Sequence, residues 1–186
     1  MKKFFHAIIV FGTLLGMASC QPSTQHQPPH PLVEIPPQVE VVDTTRYGVC
    51  GDGTTMHCLE LVATNGDTLI FNYNLSENQV VRGGLMVGDR LAVVSDTDEY
   101  GEQRATLIAN LTSLLGRWTS IDKRFEVKEG GTIVSEVQAE TNPWTSWKIL
   151  NGQLLFDRDT FDIIELGADS LYLENANGIF VYKRSR

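Results

Sequence analysis

Apolar and polar residues alternate along much of this chain with the period of two that half-buried β-strands require. Over 56–63, Leu59, Leu61 and Ala63 fall on one face, and over 68–73 Leu69, Phe71 and Tyr73 do the same. Thr64-Asn65-Gly66-Asp67 joins these two runs as a hairpin, because Asn-Gly readily takes the positive φ angles of a tight turn. A β-branched and aromatic run at 39–49 precedes them, and a polar, helix-compatible piece at 76–81 follows. Gly83-Gly84 then leads into strands predicted at 90–95 and 104–111. From residue 114 the rhythm changes. Short strands are predicted at 117–121, 125–128, 131–137, 147–150, 153–157, 160–166, 170–174 and 178–183. Glu129-Gly130-Gly131, Asn151-Gly152, Gly167-Ala168-Asp169 and Asn177-Gly178 supply turns between several of them. The pattern predicts an all-β chain hinged at Leu114-Leu115-Gly116-Arg117-Trp118, with one β domain over 39–113 and another over 114–186.

Two stretches escape the alternation. Residues 1–19 open with Lys2 and Lys3, continue through an apolar run from Phe4 to Leu15, and end in small residues, the order of an export signal. Met17-Ala18-Ser19-Cys20 resembles the lipobox of bacterial lipoproteins, which implies a diacylglyceryl group on the Cys20 thiol and cleavage just before it. Ordinary cleavage leaving Cys20 as a free or paired thiol is the alternative. Two acyl chains anchor stably where one binds only marginally, so lipidation would hold the chain at a membrane without a spanning helix. Residues 20–38 then carry six of the seven prolines. A stretch of that composition has no core to pack and, at about 3.1 Å per residue in polyproline II, reads as a tether. His26 and His30 lie within it and lack the preset geometry of a metal site. No acidic run resembling a surface-export signal follows Cys20, so the expected position is the outer membrane, facing the periplasm.

Charge narrows the partners. The formal net charge is -8, and losing Lys2 and Lys3 with the leader makes the mature chain -10. Residues 20–113 hold twelve acids against four arginines, whereas 114–186 hold eleven acids against nine bases. A surface of this sign repels phosphate backbones, so nucleic acid is not an expected partner.

Five strands with a helical insertion after the third resemble an OB-like small barrel over 39–113. The eight short strands beyond it favour an up-and-down meander, which closure into a barrel would free of exposed edges. Gly116-Arg117-Trp118 at its head resembles the Gly-x-Trp of lipocalins. Phe125-Glu126-Val127, Gly130-Gly131-Thr132, Trp147-Lys148, Phe161-Asp162-Ile163, Asp169-Ser170-Leu171 and Tyr182-Lys183-Arg184 follow in an order and spacing similar to the small lipocalin-like domains of bacterial lipoproteins. The resemblance covers 114–186. It implies that Trp118 plugs one barrel end beneath Arg184 in a cation–π contact, with Gly116 completing the motif. The segment is much shorter than a full lipocalin, so its own side chains can fill the barrel.

Candidate chemistry is sparse. Cys50 and Cys58 flank the turn Gly51-Asp52-Gly53-Thr54, and in an exported chain such a pair reads first as a disulfide. Together with His57 they would make an incomplete metal set, since His57 and Cys58 are neighbours pointing to opposite strand faces and a fourth ligand is missing. Asp96-Thr97-Asp98-Glu99-Tyr100-Gly101 imitates a calcium loop but offers Tyr100 and Leu107 where oxygen ligands belong. Asp157, Asp159 and Asp162 bound short strands, where solvation is the commoner fate. No metal site and no cofactor are therefore expected. Outside the leader and tether His57 is the only histidine, and no phosphate-binding glycine loop is present, so catalysis is not expected. The expected function is an anchored envelope lipoprotein acting as a binding module. Trp144, Trp147, Phe156, Phe161 and Tyr172 are candidates to line a site for a small apolar ligand, although aromatics of this kind are often plain core. The alternative is an envelope component that contacts a protein partner and takes no small molecule.

Overall fold

The structure, a computed structural model, describes residues 42–74, 80–137 and 141–185. The leader, Cys20, the tether and most of the polar piece at 76–81 lie outside the described residues. All of the described residues belong to one compact unit. The fold is all-β, with fourteen strands in two sheets among the described residues.

The first sheet contains β1 (Arg46–Cys50), β2 (Cys58–Ala63), β3 (Thr68–Asn72), the short β4 (Val81–Arg82), β5 (Arg90–Thr97) and β6 (Gln103–Asn110). Its order is β3-β2-β1-β5-β6-β4, and a parallel pairing of β3 with β6 at Asn72 and Arg104 returns the sheet on itself. Five strands thus form an OB-like barrel, and alternation decides what it holds. Leu59, Leu61, Phe71, Leu91, Val93 and Ile108 point inward and are buried.

The second sheet runs through β7 (Gly116–Thr119), β8 (Arg124–Lys128), β9 (Thr132–Ser135), β10 (Trp147–Leu150), β11 (Gln153–Phe156), β12 (Asp159–Leu166), β13 (Ser170–Asn175) and β14 (Gly178–Ser185). Its order is β10-β11-β12-β13-β14-β7-β8-β9, an up-and-down meander in which the last strand pairs back onto the first. The remaining gap is spanned by a Thr132–Ser146 bridge and by Ile133 N–H donating to the Thr145 carbonyl at 2.9 Å. The result is a nearly closed barrel.

Two departures from the alternation matter for the site. Of the strand predicted over 39–49, the described residues 42–45 lie outside β1, because Val42 and Thr44 are clasped elsewhere. Asn151 accepts bonds from the Thr44 amide and hydroxyl at 2.8 and 2.9 Å, and its amide group donates to the Val42 carbonyl at 3.0 Å. At the other end of the first barrel, β6 ends at Asn110, within one residue of the predicted end, and a single helical turn, α1 (Leu111–Leu114), follows it. Asn110 is buried, accepts the Ser113 amide at 2.9 Å as helix cap, and donates to Asp89 at 2.7 Å. A side chain that offers the backbone such partners competes with the sheet ladder.

The two barrels share a dry seam. Ala92 and Ala109, cross-strand partners in β5 and β6, point away from the first barrel's interior and are buried in the larger core with Leu111, Leu114 and Leu166. Small side chains there let the barrels approach closely. Arg82 spans the same junction, its Nε donating to the Ile163 carbonyl at 2.6 Å.

Candidate functional site

The second barrel is filled by its own aromatics. Phe125 packs edge-on against Trp144, Phe156 and Tyr182 with centroid separations of 5.3, 5.5 and 5.1 Å, and Trp144 meets Phe156 at 4.7 Å. Phe161 closes the cluster, 5.8 Å from Phe156 and 5.7 Å from Phe180. Phe156 is fully buried and Trp144 is 8% exposed, its indole N–H spent on Asp159 at 2.8 Å. An eight-stranded barrel is just wide enough for side chains to fill, and this one is supplied with large ones.

The five candidate lining residues therefore do not share one chamber. Trp144, Phe156 and Phe161 are core. Tyr172 sits on the outer face of β13 opposite Val181, which is itself exposed. Trp147 lies at the seam, its indole N–H donating to the Lys128 carbonyl at 2.8 Å.

At the barrel's end, Trp118 is fully buried and its indole N–H reaches the Leu114 carbonyl at 2.9 Å. The Arg184 guanidinium lies 4.2 Å from the Trp118 ring centroid and donates to the carbonyls of Leu115 at 2.7 Å, Ser113 at 2.6 Å, and Ala168. Gly116 has a φ of +117°, and a Cβ there would approach Arg184 Nη1 to 2.8 Å. The backbone conformation favours glycine, and a side chain there would also push the end of Arg184 aside. These residues clasp the last strand to the connection between the barrels.

The other candidates serve local geometry. Cys50 and Cys58 are free thiols, so the expected bridge is not formed in this structure. The ladder pairs Cys50 with Leu61 and Cys58 with Asn72, so the two are not opposite each other, and the Cys50 thiol instead lies 3.4 Å from the Thr54 hydroxyl. Asp98 accepts the Tyr100 and Glu102 amides at a hairpin tip, at 2.9 and 2.8 Å. Asp157, Asp159 and Asp162 diverge. Asp157 accepts the amides and hydroxyls of Thr145 and Ser146, Asp159 accepts Trp144, and Asp162 accepts Gln153. Burial opposes the Asp157 charge, yet these bonds from Ser146 and Thr145 outweigh it and hold the carboxyl below its ordinary range. Among the described residues no three His, Cys, Asp or Glu side chains gather as a metal site would need.

What the sequence did not mark is a cleft of about 190 Å³ where the barrels meet. Tyr47 of β1, Leu111 of α1, Leu115 after it, and Trp147 and Ile149 of β10 form its apolar wall. Arg90, Glu129 and Lys148 supply charge, and the Gly130-Gly131 backbone completes the rim. Gly131 is needed for its positive φ of +80° and because a Cβ would come within 3.0 Å of the Trp147 carbonyl. Tyr47 donates its hydroxyl to the Ile149 carbonyl at 2.6 Å. Burial, with Asp43 nearby, pushes this phenol above its ordinary value and keeps it a neutral donor. A second lobe of about 210 Å³, reaching Val49, Val62 and Leu91, shares Tyr47, Arg90 and Leu111 with the first. Gly48, also in its lining, has no room for a side chain, since a Cβ there would collide with the Val62 carbonyl. The walls come from residues as much as 102 positions apart, so no local motif could announce them; of the candidate ligand-lining residues only Trp147 is among them. The chain matches no protein-family model, no curated protein and no solved structure in the comparisons made.

Proposed function

We propose that this chain is a membrane-anchored binding module of a bacterial cell envelope, acylated at Cys20, and that it recognises its ligand at the seam between its barrels. The observation that carries this reading is the contrast between a filled lipocalin-like interior and an open, largely apolar cleft beside it. Ligand sites favour concave apolar surfaces with a few polar groups, often at domain junctions. The proposal assigns no catalysis to the seam.

Hydrogen exchange on the full mature chain, with and without an extract of envelope lipids and small molecules, tests the site. Protection is expected at the amides of Gly130, Gly131, Lys148 and Ile149. No protection there would refute seam recognition. Mass spectrometry of the mature amino terminus tests the anchor, and an unmodified Cys20 refutes it.

A second reading, a protein partner on the outer wall, is favoured by a different surface. Ile179, Val181 and Ile164 are exposed beside Tyr172 on β12 to β14. Protection confined to those strands on adding envelope proteins would support that reading instead.

A further inference from the structure

Building on the seam reading, we infer that the seam cleft takes a small organic anion: a flat apolar body about one ring in size, carrying a carboxylate or a similar single negative charge. Size comes first. A volume near 190 Å³ exceeds the roughly 150 Å³ that accommodates benzene in a protein cavity, yet falls short of the 300 Å³ and more typical of drug-sized ligands.

The polar atoms of the two aromatic walls are already used. Tyr47 hydroxyl is bonded to the Ile149 carbonyl and Trp147 indole N–H to the Lys128 carbonyl, so both rings offer a ligand apolar surface only. Leu111 and Ile149 continue that surface and are buried. Polar recognition then falls to the charged rim. Arg90 and Lys148 outnumber Glu129 there, in a chain whose formal net charge is -8 and whose first half has four arginines and no lysine between Lys3 and Lys123. Two bases lining one cleft of a chain with a net negative charge are a selective feature, because the overall charge of the molecule disfavours anions.

Arg90 is also available for exchange. Its guanidinium stands 3.6 Å from Glu129, a loose pair whose side chains are 55% and 71% exposed. Such pairs contribute little, whereas a carboxylate seated against the cleft wall can take both prongs of the guanidinium. The groups facing Arg90 and Lys148 are Glu129 and, next to Lys148, Asp43. A cationic ligand would have to compete with Arg90 and Lys148 for Glu129 and Asp43, and a neutral ring would leave Arg90 with only its loose partner.

Three probes of one shape and different charge test the inference: benzoate, benzamide and benzamidine, titrated into the full mature chain with amide chemical shifts as the readout. Benzoate is expected to shift Gly130, Gly131 and Lys148 saturably, with benzamide about tenfold weaker and benzamidine silent. Arg90→Gln is expected to bring benzoate down to the benzamide level while leaving the amide spectrum of the barrel cores unchanged. Glu129→Gln is expected to tighten benzoate by releasing Arg90. Equal affinity for all three probes, or no shift from any, overturns the anion inference. The seam reading is judged separately, since extract-induced protection at Gly130 and Lys148 does not depend on these probes.

Discussion

Replacing Arg184 with methionine removes the cation that ties the last strand to the junction of the barrels, while leaving a similar length of apolar cover over Trp118. The guanidinium holds the Leu115 and Ser113 carbonyls at 2.7 and 2.6 Å and lies 4.2 Å from the Trp118 centroid. Hydrogen bonds from charged groups contribute about 1.5–3 kcal/mol each, and a cation–π contact about 0.5–2 kcal/mol. Arg184 is only partly buried and the Ala168 carbonyl can turn to water, so the low ends apply and the loss is about 3 kcal/mol. For a folded unit of this size that corresponds to a fall in Tm of about 6–12 °C. Urea unfolding followed by tryptophan fluorescence measures it directly. Lys183→Met, one residue away on the exposed side of the same strand, is the control and is expected to stay within about 0.5 kcal/mol. A loss below about 1 kcal/mol in Arg184→Met, or one equal to the control, would refute the clasp.

Three further changes probe other links. Asp157→Asn keeps a side chain that tolerates the left-handed backbone at φ 52° but removes the charge accepting four bonds, and a loss of about 1–2 kcal/mol at neutral pH is expected from denaturant unfolding. Because the folded pKa of Asp157 is depressed, its contribution is full above the unfolded value of 3.8 and disappears as pH falls through the folded one. The wild type should therefore lose its advantage over Asp157→Asn under acid; a gap that persists at low pH would contradict this. Asn151→Gly preserves the left-handed turn at φ 49° and deletes only the clasp on Val42 and Thr44. Faster proteolysis at 42–45 with about 1 kcal/mol lost is the expected result, and unchanged cleavage would discount the clasp. Phe156→Ala opens a void in the aromatic cluster and is expected to cost about 3–5 kcal/mol by the same unfolding assay; a cost under about 1 kcal/mol would mean the barrel interior is not packed as described.

The sheet architecture was legible in the alternation of residues because the inward set of each strand is chosen by a local rule. Leu59 with Leu61, Leu69 with Phe71, and Leu171 with Leu173 each mark one side of a strand, and turn residues such as Asn151-Gly152 separate the runs by demanding positive φ. Asn110 shows what this rule does not reach. The strand end beside it was legible to within a residue, but the helical turn that follows is held by a buried side chain that caps Ser113 and also bonds Gly84 and Asp89, more than twenty positions away, which no window of neighbours reveals. The cysteines meet a related limit, since flanking a turn says nothing about register, and the register sets Cys50 against Leu61.

By itself, then, the order of residues determined an all-β chain, the change of rhythm near residue 114, the apolar run ahead of Cys20, and the acid excess, all properties carried by near neighbours or by simple counting. Only the tertiary structure decided that the aromatics of the second barrel fill it, and that Tyr47, Arg90, Leu111, Glu129 and Trp147 meet around one cleft. Filling depends on how eight strands curve and where each side chain's volume ends up. A cleft between barrels depends on which faces the two sheets press together, and that is settled by long-range packing at Ala92, Ala109 and Leu111.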